Sequence, residues 1–382
     1  MAVDAERRAA LVGAKLAALV AARWGPGERV GGTVGAFVTL VERGATITGW
    51  VLAEPAGARA LGPALVWADR EGVDELHLLA DGSGSIGAAG LLARESSYFT
   101  DAPAVWTIDG TSMAAAEPAP VPTVLPAPAP PELVDVLIDA GVEIVVEGGM
   151  VRGEVEGLEV ARIVHGQTTG GEPIDEPQLE VGVGKADREL TATVHSGLPA
   201  VEQLARVVEI VRGHRRAGAP RHPLNQLVPD RWLRAVLCRA PGLAGLRSLR
   251  PAEGARPRPN LAERDVAIAV GEAPDGSPVV VACAVGVALD LVPTAADARA
   301  VLDAARWSSR SSGSAGSVPP GSGSAGSRSA GADSSGSSDR ASALVLVVPE
   351  RDDHPAVRQL AARLVEPAAI VPIPGDWRAA AG

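Results

Sequence analysis

Apolar positions in the first two dozen residues, Ala9, Leu11, Leu16, Leu19 and Val20, predict one buried face of a helix over residues 5–23, interrupted by Lys15 and Arg23. Two β-rich runs follow, GTVGAFVTLVE (32–42) and ATITGWVLAE (45–54), and the short Arg43-Gly44 link between them predicts a hairpin. In ARALGPALVWADREG (58–72), Ala58, Leu61, Leu65 and Trp67 or Ala68 recur at helical spacing, although Pro63 lies inside the segment. A strand (DELHLLA), a helix (AAGLLARESSYF) and a strand (PAVWTID) complete the order α-β-β-α-β-α-β.

The same alternation returns near the other end. DVAIAVGEA (265–273) and SPVVVACAVGVALDLV (277–292) read as strands joined by a Pro274-Asp275-Gly276 turn. TAADARAVLDAARW (294–307) reads as a helix with Thr294 as its N-cap, and it is followed by a strand (ALVLVVPE), a helix (HPAVRQLAARLV) and a strand (AAIVPIP). Between the two copies lie a short helix (132–141), strands with Gly-rich turns (142–166), a further strand (178–187), and two amphipathic helices (198–218 and 229–241), the second with Asp230 near its start. The expected class is α/β, with two units of mixed sheet in the order helix, hairpin, helix, strand, helix, strand, and the repeated order suggests an internal duplication.

Composition adds boundaries. AAAEPAPVPTVLPAPAP (114–130) reads as an extended, semi-rigid linker between an N-terminal domain (1–113) and a C-terminal domain (131–382). The Ser/Gly-rich tract at 307–342 has little to bury and reads as a disordered insertion in a helix-to-strand loop. The chain has 382 residues and only ten aromatic ones, seven of them Trp, so its core must come from many Ala, Val and Leu contacts and it offers few stacking platforms for single-stranded nucleic acid.

No stretch approaches the roughly 18–20 uninterrupted apolar residues of a spanning helix. The charged residues inside the first helix argue against a signal peptide, so a cytoplasmic location without membrane attachment is expected. The net charge of −11 disfavours nucleic acid, whose binding depends on cations neutralising phosphates. Cys238 and Cys283 are far apart and flanked by apolar residues, which predicts two reduced, buried thiols.

Common chemistries find little support. No Walker A sequence or G-x-S-x-G elbow is present, the strand running to Gly286 carries no G-x-G-x-x-G, and no two histidines have the spacing of a zinc protease. Against the acidic background, Arg212, Arg215, Arg216, Arg221, Arg231 and Arg234 gather around a Pro-rich turn that also holds His214 and His222. Guanidinium forks suit phosphates, so Arg212, Arg215, Arg216, Arg221 and Arg231 form a candidate anion site, with Asn225 and Trp232 as helpers. The structural alternative is a basic helix C-terminus paired with acidic neighbours. Among the carboxylates of the middle region (Glu147, Glu154, Glu156, Glu159, Glu180), the combination of Glu159, Glu180, Lys185 and Asp187 could hold Mg²⁺ and activate water, although solvent-facing strand positions give the same alternation.

The element order resembles the restriction-endonuclease-like PD-(D/E)XK superfamily, in particular its RecB-like members, over about residues 5–110 and 265–374. Glu54 at the end of the hairpin strand, and Asp290 in the second copy, stand where the resemblance implies a metal-binding acid. The implied Lys two positions later is missing: Pro55 and Ala56 follow Glu54, and Leu291 and Val292 follow Asp290. The expected function is therefore a non-catalytic binding or interaction protein with degenerate nuclease-like domains and no cofactor. It would meet a protein partner or an anionic ligand. The alternative is a Mg²⁺-dependent nuclease or phosphoesterase using the middle-region acids.

Overall fold

The computed structural model describes residues 2–54, 59–81, 88–123, 129–168, 170–194, 198–254, 256, 261, 265–313 and 341–381, and among these the fold is α/β. The first unit comprises α1 (Ala2–Trp24), β1 (Arg29–Val34), β2 (Phe37–Arg43), β3 (Ile47–Leu52), α2 (Leu61–Glu71), β4 (Glu75–Asp81), α3 (Ala88–Ser96), β5 (Ala104–Asp109) and β6 (Ser112–Ala115). The run expected as a single strand at 32–42 is two strands, because Gly35, at φ 58°, turns the chain between β1 and β2. The sheet runs β1-β2-β3-β4-β5-β6, antiparallel from β1 to β3, parallel from β3 to β5, and antiparallel again at β6.

α1 covers one sheet face, laying Leu16, Leu19 and Val20 on Leu40, Trp50, Leu52, Leu79 and Ile108. Leu11 does not join them and is 66 % exposed, since five residues of helix place it about 140° round from Leu16. α2 and α3 cover the other face. Pro63 is the third residue of α2, where a backbone N–H has no intrahelical acceptor, so it leaves the helix intact. Ala58 lies outside the described residues.

The middle region forms α4 (Pro131–Asp139), β7 (Glu143–Glu147), β8 (Met150–Val155), β9 (Leu158–Val164), β10 (Gln178–Val181), α5 (Gly184–Val194) and α6 (Ala200–His214), with an antiparallel sheet ordered β10-β9-β8-β7. One sheet face buries Val151, Val155, Leu158 and Ile163 with Leu137 of α4 and Leu204, Val208 and Val211 of α6. The strand expected at 178–187 stops at Val181. Gly182 and Gly184 adopt positive φ, and the Asp187 carboxylate accepts the Val183 N–H, which starts α5 instead.

The last unit contains α7 (Pro229–Arg239), β11 (Ser248–Ala252), β12 (Ala267–Glu272), β13 (Pro278–Cys283), α8 (Leu291–Gly313), β14 (Ala343–Pro349), α9 (Pro355–Ala362) and β15 (Ala369–Ile373). Its sheet, β11-β12-β13-β14-β15, repeats the directions of β1 to β5: antiparallel through β13, then parallel. α7 stands where α1 stands in the first unit, packing Trp232, Leu233, Val236 and Leu237 on the strand residues Ala269, Val281 and Cys283. Both cysteines are free; Cys283 is buried and Cys238 half-buried. Thr294 is not the N-cap of α8 but an interior residue whose N–H bonds to the Asp290 carbonyl, because the helix already begins at Leu291. α8 reaches Gly313, inside the segment read as disordered; residues 314–340 of that tract lie outside the described residues.

The two units meet through their helices. α2 and α3 pack on α8 and α9, and one apolar cluster continues from Leu61, Leu65 and Leu92 to Leu291, Val292 and Leu360. The approach is close at Gly62, where a Cβ would lie 1.9 Å from the Leu289 carbonyl oxygen. Gly62→Ala must force the seam apart and is expected to lower stability by about 1–3 kcal/mol, the range for overpacked cores, in chemical denaturation; a change under a few tenths would show that the seam yields freely. The Pro/Ala segment is a strap along α3 over its described part. The Ala119 N–H bonds to the Gly90 carbonyl, and Arg94 donates to the Ala119 and Pro120 carbonyls. Residues 124–128 of the expected linker lie outside the described residues. Among the described residues, no helix is long and apolar enough to cross a membrane.

Candidate functional site

The Arg-rich turn does not present its guanidinium groups as one surface. Arg215, 1 % exposed, donates to the carbonyls of Glu156, Leu224 and Leu227 and stacks 4.5 Å over the Trp232 ring, locking α6 to β8, β9 and α7. Arg231 is buried as well. Its two terminal nitrogens reach Glu154 at 2.9 Å and Glu147 at 2.5–2.6 Å. Arg234 donates to the other oxygen of Glu154 at 2.5 Å. These groups are spent on internal acceptors and cannot meet an external anion, which corrects the expectation for Arg215 and Arg231. The reason is tertiary: the face of the middle sheet opposite its apolar core carries Glu154 and Glu147 onto α7.

Arg212, Arg216 and Arg221 are exposed. Arg212 donates to the Gly141 carbonyl at 2.7 Å, and Arg216 and Arg221 make longer bonds, to the Gly213 carbonyl at 3.2 Å and the Gln226 side chain at 3.4 Å. Between them the His214 and His222 rings stack 3.8 Å apart, and His222 Nδ1 accepts the Leu224 N–H while the Asn225 side chain accepts the His222 N–H.

The middle-region acids are committed in the same way. Glu159 is buried and meets Arg152 at 2.6 Å, Arg162 at 3.0 Å and Arg188 at 3.1 Å. Glu180 lies 3.8 Å from Arg188, Lys185 pairs outward with Glu189, and Asp187 caps the start of α5. Arg152 also reaches Glu147, so the chain of charges runs without a break from Arg234 through Glu154, Arg231, Glu147, Arg152 and Glu159 to Arg188. Burial pushes the Glu147 carboxyl up, but Arg231 and Arg152 outweigh it and hold the group below its ordinary value. Glu159 and Glu180 already face arginines, Lys185 points to Glu189 and Asp187 is spent on the Val183 N–H, so the four do not converge as a Mg²⁺ site. Glu54 at the end of β3 pairs with Lys15 of α1 at 2.7 Å, and Asp290 lies 3.8 Å from Arg59. Among the described residues, no three His, Cys, Asp or Glu side chains are placed to hold a metal ion.

The chain gave no significant match to protein-family models, to curated proteins or to solved structures.

Two arrangements went unseen in the sequence. The first is an open cavity of about 670 Å³, within the usual range of ligand sites, bounded by the end of α2, the starts of β4 and β5, and Arg363 from the last unit. Its rim carries Asp69, Asp74, Glu75 and Asp101, and its wall Leu65, Val73, Leu76 and Pro103. Asp69 is bound by Arg363 at 2.8 Å and Asp74 by the Ile47 N–H at 2.8 Å. Glu75 and Asp101 face solvent; Asp101 is 78 % exposed and lies 3.9 Å from the Arg363 guanidinium. His77 on the same rim is held by a group of tryptophans: Trp106 donates to its Nδ1 at 3.2 Å, and the Trp24 and Trp50 rings lie 4.9 and 5.9 Å away. Burial pushes its pKa down against the opposing pull of Glu75, which favours the neutral ring that this hydrogen bond requires. Residues 50, 77 and 106 sit on one sheet face in three adjacent strands, a relation that no spacing along the chain reveals.

The second is a buried polar cluster in the seam. Arg94 of α3 clasps Asp297 of α8 with two bonds of 2.7 and 2.9 Å, and the Tyr98 hydroxyl donates to the same carboxylate at 3.1 Å. Beside them, Glu95, Arg256, Thr294, Asp290, Arg59 and Asp265 extend the cluster. Gly82-Ser83-Gly84-Ser85-Ile86-Gly87, between β4 and α3 in the chain, has the G-x-G-x-x-G spacing of phosphate-cradling turns. Residues 82–87 lie outside the described residues.

Proposed function

We propose that this chain is a non-catalytic binding protein and that its binding surface is the acidic cavity beside α2, which takes a cationic segment of a protein partner. The cavity carries the reading. It joins an apolar wall to a rim of four carboxylates with Arg363 as the facing cation, and two of those carboxylates, Glu75 and Asp101, face outward. A Lys or Arg side chain suits such a site because its aliphatic stem covers apolar wall while its head meets carboxylate. The net charge of −11 would steer a basic partner toward the protein. The element order still resembles degenerate nuclease-like units, and the commitment of Glu54 to Lys15 supports a role without metal chemistry.

Calorimetric titration of the full chain with a short Lys-rich amphipathic peptide tests this. Binding is expected to weaken with salt, and to fall about fivefold in Glu75→Gln/Asp101→Asn, corresponding to roughly 1 kcal/mol for two exposed charge contacts. Equal affinity in the double variant would remove the cavity as the site. A second reading rests on Arg212, Arg216 and Arg221 around the stacked histidines, an exposed cationic group of the kind that meets phosphate. Salt-sensitive binding of a labelled oligonucleotide that is lost in Arg216→Ala/Arg221→Ala would select that reading instead.

A further inference from the structure

Glu95 lies on α3 where that helix packs on α8, with no solvent exposure. Neither carboxyl oxygen receives a hydrogen bond among the described residues, and Arg256 stays 3.4 Å away while also donating to the Thr294 hydroxyl. Each element around it constrains its charge. From its own helix, Arg94 is already clasped to Asp297, and Tyr98 bonds to that same acid. From α8 and its lead-in, Asp297 and Asp290 present like charge. From the segment between β11 and β12 comes Arg256, and at the edge of the cluster Arg59 meets Asp265 and Asp290. Beneath α3, β4 and β5 supply Leu78, Ala80 and Val105, which solvate no charge. A buried carboxylate that receives no hydrogen bond, has Arg256 at 3.4 Å as its one ion-pair partner among the described residues and stands beside two other acids is costly; a neutral carboxylic acid fits the same space.

We propose that Glu95 is a proton-operated latch on the seam between the two units. As the neutral acid it lets α3 and α8 stay packed; as the carboxylate it drives them apart and loosens the strap that Arg94 holds. Burial pushes the Glu95 carboxyl up from its ordinary value to about 8, with Asp297 and Asp290 adding to the rise and Arg256 and Arg94 opposing it. The sign follows from linkage. The folded value lies above the unfolded one of 4.5, so the seam is at full strength below 4.5, weakens as pH rises from there, and stops weakening above about 8.

The test is hydrogen exchange of the full chain followed in α3, α8 and residues 116–123, corrected for intrinsic rates, between about pH 6 and pH 9 so as to bracket that value. Opening of these segments is expected to increase up to about tenfold per pH unit until about pH 8, and to be independent of pH in Glu95→Gln, which keeps the shape without the titration. Carbon-13 titration of the Glu95 carboxyl in the unmutated protein gives a second readout that needs no variant to fold. A midpoint near the ordinary value, or the same pH dependence of exchange in Glu95→Gln and the unmutated chain, overturns the proposal.

Discussion

Arg94→Ala is expected to lower the unfolding free energy of the full chain by about 3–5 kcal/mol, the cost of breaking a buried ion pair on one side only. The substitution leaves the Asp297 carboxylate, which is wholly buried in α8, with the Tyr98 hydroxyl and without its cation. It also frees the carbonyls of Ala119 and Pro120, so of its described hydrogen bonds to α3 the strap keeps only that of the Ala119 N–H to the Gly90 carbonyl and loosens in the same step. Domains of this size have about 5–15 kcal/mol of stability in total, and the seam would be the first part to open. Urea denaturation gives the loss directly. Arg94→Met combined with Asp297→Leu should recover much of it, because it removes both charges together. A loss below about 1 kcal/mol in the single variant would mean that water enters the seam and replaces the lost bonds.

Glu154→Gln is expected to cost a similar amount, about 3–5 kcal/mol, for the mirror-image reason. Glu154 is buried between Arg231 and Arg234 of α7, and neutralising it leaves two guanidinium groups facing each other with Glu147 as the remaining anion on Arg231. The middle sheet should then separate from α7, read as faster exchange in α7 and β8. Acid should act on the same joint. Glu147 is held below its ordinary value of 4.5, so its contribution is complete above 4.5 and is lost as pH falls through its depressed value. Unfolding followed between neutral pH and about pH 3 should show this loss, and Arg231→Met should flatten it by removing the interaction that depresses the Glu147 carboxyl.

Local patterns carried much of the architecture. The alternation around β12 to β15 and the helical spacing in α6, α7 and α9 are properties of short segments, and each element formed where its apolar positions called for it. β6 and β11 escape because each is short, and α5 because its own apolar pattern is weak. α5 in particular depends on two glycines and an Asp187 cap rather than on a continuous apolar face. Chemistry was less legible. Arg215 and Arg216 are adjacent in the chain, yet one is buried against Trp232 and the other is exposed. Composition treats them as one basic patch, whereas the C-terminal turn of α6 sends them in opposite directions.

The order of strands and helices, its recurrence at both ends of the chain and the places where Gly and Pro interrupt it follow from backbone preferences and apolar periodicity, which act over a few residues. Which charges are free to meet a partner was decided by the tertiary structure. Burial pairs Arg231 with Glu147 across 84 positions and Arg94 with Asp297 across 203, and at such separations no sequence spacing carries the signal. The cost of leaving an ion alone in a low-dielectric interior is what forces those pairings. The same cost, only partly offset at Glu95 by Arg256, is the basis of the proton-operated latch proposed for the seam.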